Sequence, residues 1–289
     1  MSEIVLADNR YGKAAIRLVR VDRTPGHHTI KDVTVRVALE GAFDDVHTAG
    51  DNSPVVATDT MRNTAYAFAR DHLDRSIEAY GRALARHFAA FPQVSRATVT
   101  IDEQRWQRLV GPDGPSDHAF VRAGDLTRLA EVQVGADGVE QVEAGVAELT
   151  LLKTTHSAFS GFDRDRFTTL ADTEDRLLAT RLSARWRYGA GRAMQADAEY
   201  DFDGAFDAVL ACLLEVFAAH HSPSVQSTIW QLGQAVLSRR PEIDEIRFVL
   251  PNLHHWPADL APFGMTNDKV VYVATSEPRG VIEGTIRRS

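Results

Sequence analysis

The sequence lacks the features that mark several large classes of protein. One cysteine, Cys212, stands among 289 residues, inside the apolar run VLACLLEVF. No disulfide can therefore form within the chain, and a reducing compartment is expected. No apolar run approaches the roughly 20 residues of a membrane span, and the acidic start MSEIVLADNR is unlike a signal peptide. We expect a cytoplasmic protein that has no membrane partner.

Positive charge is also in deficit. The chain has 32 Lys and Arg residues against 40 Asp and Glu residues, so its formal net charge is -8. This balance argues against nucleic acid as a partner. An anionic substrate would need a local positive site, since the overall charge of the protein would repel it.

Sequence patterns for metals and common cofactors are missing as well. Three adjacent histidine pairs occur: His27-His28, His220-His221 and His254-His255. None has the i,i+2 spacing on a strand or the i,i+4 spacing on a helix that chelation favours. The glycines of Gly189-x-Gly191 lack the strand-to-helix setting of a dinucleotide site, and no P-loop is present. We expect no metal and no cofactor.

The hydrophobic pattern instead predicts an antiparallel sheet with helices. Alternating residues predict strands at 14–23, 29–41, 95–109 and 118–135 in the first half, and at 139–155, 180–202, 245–250 and 269–277 in the second. Three- and four-residue steps predict one helix from Thr60 to Phe91 and a second helical segment from Gly204 to Arg239. Ser222-Pro223-Ser224 should split that second segment, with Ser224 as a helix cap.

The order strand, strand, helix, strand, strand therefore occurs twice. We predict an α+β fold of two modules, residues 1–137 and 138–289, that arose by duplication. The helices should cover one face of each antiparallel sheet.

A segment in the middle of the chain could bind a planar anion. It reads LLKTTHSAFSGFDRDRFTTL and leads to Asp175-Arg176. Phe159 could stack on such a ring while the Arg176 guanidinium grips its edge. By residue type alone, a phenylalanine such as Phe159 is more often a core residue, and an arginine such as Arg176 more often forms a surface ion pair.

This segment resembles the urate oxidase (uricase) family. Four further motifs of that family occur along the chain in the family's order, two before this segment and two after it: Tyr11-Gly12-Lys13, Thr58-Asp59-Thr60, Ser222-Pro223-Ser224-Val225-Gln226 and Leu250-Pro251-Asn252-Leu253-His254. The resemblance implies tandem tunnelling-fold (T-fold) modules, with the sheets of several chains closed into a barrel as a homotetramer. It also implies a cofactor-independent oxidase of purine degradation that converts urate, dioxygen and water to 5-hydroxyisourate and hydrogen peroxide.

The resemblance assigns roles to residues in two groups. Lys13, Thr58 and His254 would move protons, and Asp59 would meet the substrate through its backbone N–H. In the substrate clamp, Phe159 would stack on the ring, Arg176 and Gln226 would hold its pyrimidine edge, Val225 would add a backbone contact, and Asn252 would hold dioxygen together with Thr58. In the family each site is shared by two chains, with Lys13, Thr58 and Asp59 from one chain and the others from its neighbour.

Other interpretations remain open at this stage. Lys13 is compatible with a solvated lysine, and Thr58-Asp59-Thr60 with a helix cap. A zinc-dependent cyclohydrolase or pterin synthase of the same fold is an alternative, although Gln226 suits the alternating C=O and N–H edge of urate better than a pterin. A non-catalytic purine-binding protein is another alternative.

The sequence departs from the family in a few places. Ser160 replaces a larger aromatic residue, and His255-Trp256 varies an aromatic pair. The ending Arg287-Arg288-Ser289 does not match the peroxisomal tripeptide of eukaryotic uricases, so we expect a protein of the bacterial cytosolic type.

Overall fold

The computed structural model describes residues 4–189, 200–275 and 277–289. The chain forms two compact units, Met1–Gly145 with Arg187–Phe206 and Val146–Trp186 with Asp207–Ser289. We call these the first and the second unit. The predicted boundary between two duplicated modules, residues 1–137 and 138–289, stays a prediction.

The first unit is built on long antiparallel strands. They are β1 (Tyr11–Asp22), β2 (Thr29–Gly41), β3 (Val94–Gly111), β4 (Gly114–Gly135) and the start of β5 (Glu140–Lys153), hydrogen-bonded in that order. The predicted alternation in β2 is confirmed, because Val33, Val35, Val37 and Leu39 are all fully buried. One face of this sheet therefore forms a continuous apolar surface.

The described part of the first unit contains the helices α1 (Asp44–Thr48), α2 (Thr58–His72) and α3 (Ile77–Ala89). The prediction of a single helix from Thr60 to Phe91 was wrong. The helix is interrupted after Leu73, and α3 begins after Ser76, which is its N-cap and accepts the Ala79 N–H at 3.1 Å through its hydroxyl. Tyr80, Leu84 and Phe88 on α3 are fully buried, and α3 packs on β3 and β4.

A buried ion pair lies in the same unit. The Arg128 guanidinium on β4 donates to Glu78 at 2.7 Å and to Asp203 at 2.5 Å. Its Cζ lies 4.7 Å from the centroid of the Phe206 ring. Glu78 is fully buried and Arg128 is 4% exposed, so the Glu78 carboxylate depends on Arg128 for compensation of its charge.

The second unit repeats the plan. The end of β5, β6 (Leu178–Tyr188), β7 (Ile243–Leu253) and β10 (Gly280–Arg287) are hydrogen-bonded in that order. β8 (His255–Pro257) and β9 (Tyr272–Ala274) form a separate antiparallel ribbon. The helices are α4 (Phe202–Ala219) and α5 (Val225–Arg239), so the predicted interruption at Ser222-Pro223-Ser224 is confirmed. The described helices include none that is long and apolar enough to cross a membrane.

The prediction of the last strand was wrong. Of the described residues within 269–277, Tyr272–Ala274 alone form a strand, and that strand belongs to the ribbon. The last strand of the sheet is β10, which pairs with β7 from Gly280↔Asn252 to Arg287↔Glu245. Glycine residues interrupt the apolar pattern of β10, so the sequence does not reveal this segment as a strand. A Cβ on Gly284 would lie 2.8 Å from the Ile229 side chain of α5, so glycine lets the helix approach the sheet.

The prediction of β6 also differs from the structure at its end. β6 stops at Tyr188, and Phe202 begins α4. The remainder of the predicted strand, residues 190–199, lies outside the described residues. The α+β class with a large antiparallel sheet is confirmed.

Candidate active site

The predicted site residues fall into two groups, one in each unit. Lys13, Thr58 and Asp59 form what we call the relay group of the first unit. The clamp group of the second unit has six members: Phe159, Arg176, Val225, Gln226, Asn252 and His254.

Lys13 lies at an irregular point of β1. The register against β2 shifts between Lys13 and Ile16, and Ala15 has φ 56°. Gly12 precedes the lysine at a very close approach of the strands, since a Cβ there would lie 1.9 Å from the Val37 carbonyl oxygen. A bulge of this kind changes the direction of the side chain beside it, and Lys13 is half-buried.

Thr58 is the first residue of α2. The N-cap position is Ala57, and no side chain caps the helix, so capping does not occupy the Thr58 hydroxyl. The first intrahelical bond runs from the Met61 N–H to the Ala57 carbonyl at 3.2 Å. The N–H groups of Thr58, Asp59 and Thr60 precede that bond and lie at the positive end of the helix.

The Asp59 carboxylate is directed along its own helix. It pairs with Arg62 at 2.6 Å and accepts the Asn63 amide at 3.0 Å. Arg62 and Asn63 therefore already engage the carboxylate oxygens of Asp59. The backbone N–H of Asp59 is therefore the better group for meeting an anion.

Phe159 and Arg176 are brought together by a short antiparallel pairing. The Phe159 N–H donates to the Thr173 carbonyl at 2.7 Å, and the Thr173 N–H donates back at 3.0 Å. The Arg176 N–H donates to the Ser157 carbonyl at 2.8 Å. As a result the Arg176 Cζ lies 5.3 Å from the centroid of the Phe159 ring. Phe162 stacks on Phe159 at 4.9 Å with a 10° interplanar angle and fixes its orientation.

The Arg176 guanidinium has no counter-ion among the residues that the structure describes. The neighbouring Asp175 carboxylate is held by the Thr155 hydroxyl at 2.8 Å and by Lys269 at 3.6 Å. The Nε of Arg176 is buried and, within the described ranges, has no hydrogen-bond partner. Burial lowers the pKa of Arg176. A buried donor that lacks an acceptor is energetically unfavourable. A bound anion can supply the acceptor that the Arg176 Nε lacks.

The start of α5 is joined to the Phe159 segment. Ser157 and Ser222 form a parallel bridge, and the Ala158 N–H donates to the Ser222 carbonyl at 2.8 Å. The predicted cap is confirmed, because the Ser224 hydroxyl accepts the Ser227 N–H at 3.1 Å.

Val225 and Gln226 are the first two residues of α5. The first intrahelical bond runs from the Thr228 N–H to the Ser224 carbonyl at 3.1 Å, so both N–H groups precede it. The Val225 side chain is buried and the Gln226 side chain is exposed. Two backbone N–H donors and the exposed Gln226 side-chain amide therefore lie at this helix end.

Asn252 and His254 share one side of the segment that follows the core of β7. Their side chains approach to 3.4 Å between Nδ2 and Nδ1, as the alternation predicted. The His254 ring stacks on Trp256 at 5.3 Å and 19°. Thr275 holds the His254 carbonyl through its N–H at 2.9 Å and its hydroxyl at 3.2 Å.

Burial and, to a smaller extent, the neighbouring Arg176 guanidinium and His255 lower the pKa of His254. His254 is therefore neutral near pH 7 and can accept a proton. The positive charge of Arg176, a member of the clamp group, therefore disfavours protonation of His254.

Comparison with known proteins identifies the family. The family model for uricase matches residues 9–133 and 142–283. The chain is 44% identical to uricase from Arthrobacter globiformis in an alignment that covers 99% of this chain and 91% of that relative. It is 36% identical to uricase from Dictyostelium discoideum over 98% of both chains. The chain belongs to the uricase family.

The fold agrees with that of a solved uricase. The crystal structure of uricase from Arthrobacter globiformis matches with a TM-score of 0.91 and 43% identity, over 99% of this chain and 96% of that one. The predicted resemblance is confirmed, and so is the prediction of a urate oxidase, an oxidoreductase. The alternative of a pterin enzyme is not favoured. Among the described residues, no group of three or more His, Cys, Asp or Glu side chains could hold a metal ion.

Several contacts around the candidate site were not predicted from the sequence. Trp256 was noted only as part of a varied aromatic pair, and its stacking on His254 could have been predicted, since residues 252, 254 and 256 alternate and share one side of an extended chain. Thr275 and Ser157 could not, because their contacts arise from chain pairings that no local pattern signals. Tyr11 was seen only as part of a motif, and its hydrogen bonds link β1 to the segment before α2.

Proposed function

We propose that this uricase converts urate, dioxygen and water to 5-hydroxyisourate and hydrogen peroxide, with no cofactor. The observation that carries the proposal is the half-buried Arg176 guanidinium, whose buried Nε has no hydrogen-bond partner among the described residues and whose Cζ lies 5.3 Å from the centroid of the Phe159 ring. Such a pair suits a planar, anionic and aromatic substrate. Deprotonated urate is electron-rich, so the substrate itself supplies the two electrons that reduce dioxygen to peroxide.

The clamp group binds and orients the substrate. Phe159, held from behind by Phe162, stacks on the ring. Arg176 donates to one part of the pyrimidine edge, and the Gln226 amide matches the alternating C=O and N–H groups beside it. The Val225 N–H at the start of α5 adds a backbone donor.

Protons move through Lys13, Thr58 and His254. Lys13 is the base, and the Thr58 hydroxyl, which can both accept and donate, passes the proton between lysine and substrate. Neutral His254 accepts or returns a proton. Asn252 and Thr58 hold dioxygen and water against the ring, and the Asp59 N–H contacts its edge.

The complete site is shared by two chains of a homotetramer. One chain supplies Lys13, Thr58 and Asp59, and its neighbour supplies the clamp group. The T-fold modules, 1–137 and 138–289, would close their sheets with those of the other chains. The relay group and the clamp group lie in different units of the chain, so two neighbouring chains can each supply one group. Full activity per mole of an isolated monomer would contradict this shared site. We also propose that the enzyme is cytoplasmic.

The decisive experiment follows the absorbance of urate in air with protein treated with a chelator, and measures peroxide in parallel. Equal losses of urate and gains of peroxide are the expected result. Activity that returns only with added zinc or iron would refute the cofactor-free mechanism. Tight urate binding without turnover would instead indicate a binding protein.

The proton relay has its own test. Lys13→Met and Thr58→Ala should each lower kcat by about 100-fold, the scale of general acid–base catalysis, and should leave urate affinity nearly intact. The matched control is Lys31→Met, which removes a lysine of the neighbouring strand that pairs with Glu103 at 3.3 Å. A large loss of affinity at normal kcat would show that Lys13 binds rather than acts as a base.

A further inference from the structure

We infer that Tyr11 is a positioning residue for the proton relay, because its hydroxyl binds the backbone of Val56 and so fixes the start of α2 against β1. The inference rests on the proposed roles of Lys13 and Thr58. Tyr11 stands two residues before Lys13 on β1, and Val56 stands two residues before Thr58. A single side chain thus connects the two segments that carry the relay.

The geometry of this contact is reciprocal. The Val56 N–H donates to the Tyr11 hydroxyl at 2.8 Å, and the hydroxyl donates to the Val56 carbonyl at 3.2 Å. Both backbone groups of one loop residue are therefore satisfied by one phenol. Burial raises the pKa of Tyr11, so the hydroxyl keeps the proton that it donates.

The ring of Tyr11 is itself held in place. It packs edge-on against Phe43 with centroids 4.8 Å apart and an interplanar angle of 87°. Phe43 is fully buried and Val56 is 5% exposed. The hydroxyl cannot swing away from Val56 without a movement of the ring, and this fixed ring makes the contact a rigid spacer.

The consequence falls on the end of α2. The helix packs against β1, and no side-chain cap holds its first turn. The Pro54 carbonyl is bound by the Gln93 amide at 2.7 Å, which anchors the loop two residues earlier. Tyr11 provides the anchor next to Thr58. Without it, the Thr58 hydroxyl and the neighbouring N–H groups would no longer keep a fixed distance from β1.

A test removes the hydroxyl and keeps the ring. Tyr11→Phe should lower kcat about tenfold, equivalent to about 1.4 kcal/mol in transition-state free energy. KM for urate should change less than twofold, because the clamp group is untouched. The pH dependence of kcat should also shift, since the base and its hydroxyl partner are no longer held in one geometry.

The matched control is Tyr80→Phe. The Tyr80 hydroxyl also donates to a backbone carbonyl of α2, that of Ala65 at 2.6 Å, but it is fully buried and lies two turns from Thr58. Tyr80→Phe should lower the melting temperature at least as much as Tyr11→Phe and leave kcat and its pH profile unchanged. Equal effects of both variants on kcat would reduce Tyr11 to a structural role and overturn the inference.

Two outcomes separate this inference from the proposed function. If Lys13→Met and Thr58→Ala lose activity while Tyr11→Phe keeps the parental kcat and pH profile, the role of Tyr11 is wrong and the relay stands. If Lys13→Met and Thr58→Ala keep full kcat, the relay itself is wrong. The double variant Tyr11→Phe with Thr58→Ala should be no slower than Thr58→Ala alone, because Tyr11 acts through Thr58. A further tenfold fall would contradict that coupling.

Discussion

Replacing Arg176 with methionine should affect stability and substrate affinity in opposite directions. In the absence of urate the guanidinium brings a buried Nε that has no acceptor among the described residues. Methionine has a similar length, needs no acceptor and can pack against Phe159. The unliganded variant should therefore be more stable than the parent, although it should lose the ligand.

The magnitude follows from two opposing contributions. A buried donor without a partner costs about 1–3 kcal/mol, and the lower part of that range applies because Arg176 is only half-buried. The contact with Phe159 at 5.3 Å is a cation–π interaction worth about 0.5 kcal/mol at such a site. The net gain for Arg176→Met is about 0.5–1 kcal/mol, which corresponds to about 1–2 °C in melting temperature for a chain of this size.

Affinity should fall steeply in the same variant. Two charge-assisted hydrogen bonds to urate contribute about 1.5–3 kcal/mol each, so binding should weaken by about 100-fold or more. Calorimetry under anaerobic conditions measures this affinity without turnover. Thermal unfolding in the absence of urate measures stability.

Arg239→Met is the control for both measurements. Arg239 is exposed and pairs with Glu215 at 2.7 and 3.1 Å. A surface pair of this kind contributes less than about 1 kcal/mol, so the control should bind urate normally and melt close to the parent. An Arg176→Met protein that melts below the parent, or that binds urate as tightly, would show that Arg176 has an ordinary structural partner.

Three further predictions concern the clamp, the core and the histidine. Gln226→Glu should weaken urate binding about tenfold, since a carboxylate would face a carbonyl edge, and equal affinity in calorimetry would remove Gln226 from the clamp. Arg128→Met should lower the free energy of unfolding in urea by about 3–5 kcal/mol, because it leaves Glu78 buried and uncompensated. A loss below about 1 kcal/mol would contradict this. The lowered pKa of His254 means that the unfolded chain binds a proton more readily as the pH falls below about 6.5, so stability decreases on acidification. His254→Gln should show a smaller decrease between pH 7 and 5, and an identical decrease would refute the role of this histidine.

Strands with strict alternation could be predicted from the sequence. Val33, Val35 and Val37 lie on one face as expected, because the two-residue period of a strand matches the apolar pattern directly. The break between α2 and α3 was missed. A helical pattern continues across it, and only the capping bond of Ser76 marks the new start. Local periodicity does not reveal such a break, whereas cap geometry does.

The candidate site was predictable where it forms motifs. Phe159, Arg176 and Gln226 were named from residue types and from the resemblance to uricases, and the structure brings Phe159 and Arg176 together through a pairing at Thr173. The supporting contacts were not predictable. The hydroxyl of Tyr11 reaches a residue 45 positions away in the sequence, and only the folded chain defines that partner.

The scarcity of thiols has a consequence for the working lifetime of the enzyme. The hydrogen peroxide of the proposed reaction attacks thiolates and exposed thioethers. Cys212 is 4% exposed, and burial raises the pKa of its thiol, so the reactive anion is scarce and shielded. Met61 is fully buried, whereas Met265 is 60% exposed. Among the described residues, oxidative damage during prolonged turnover should therefore begin at Met265, on the surface loop between β8 and β9.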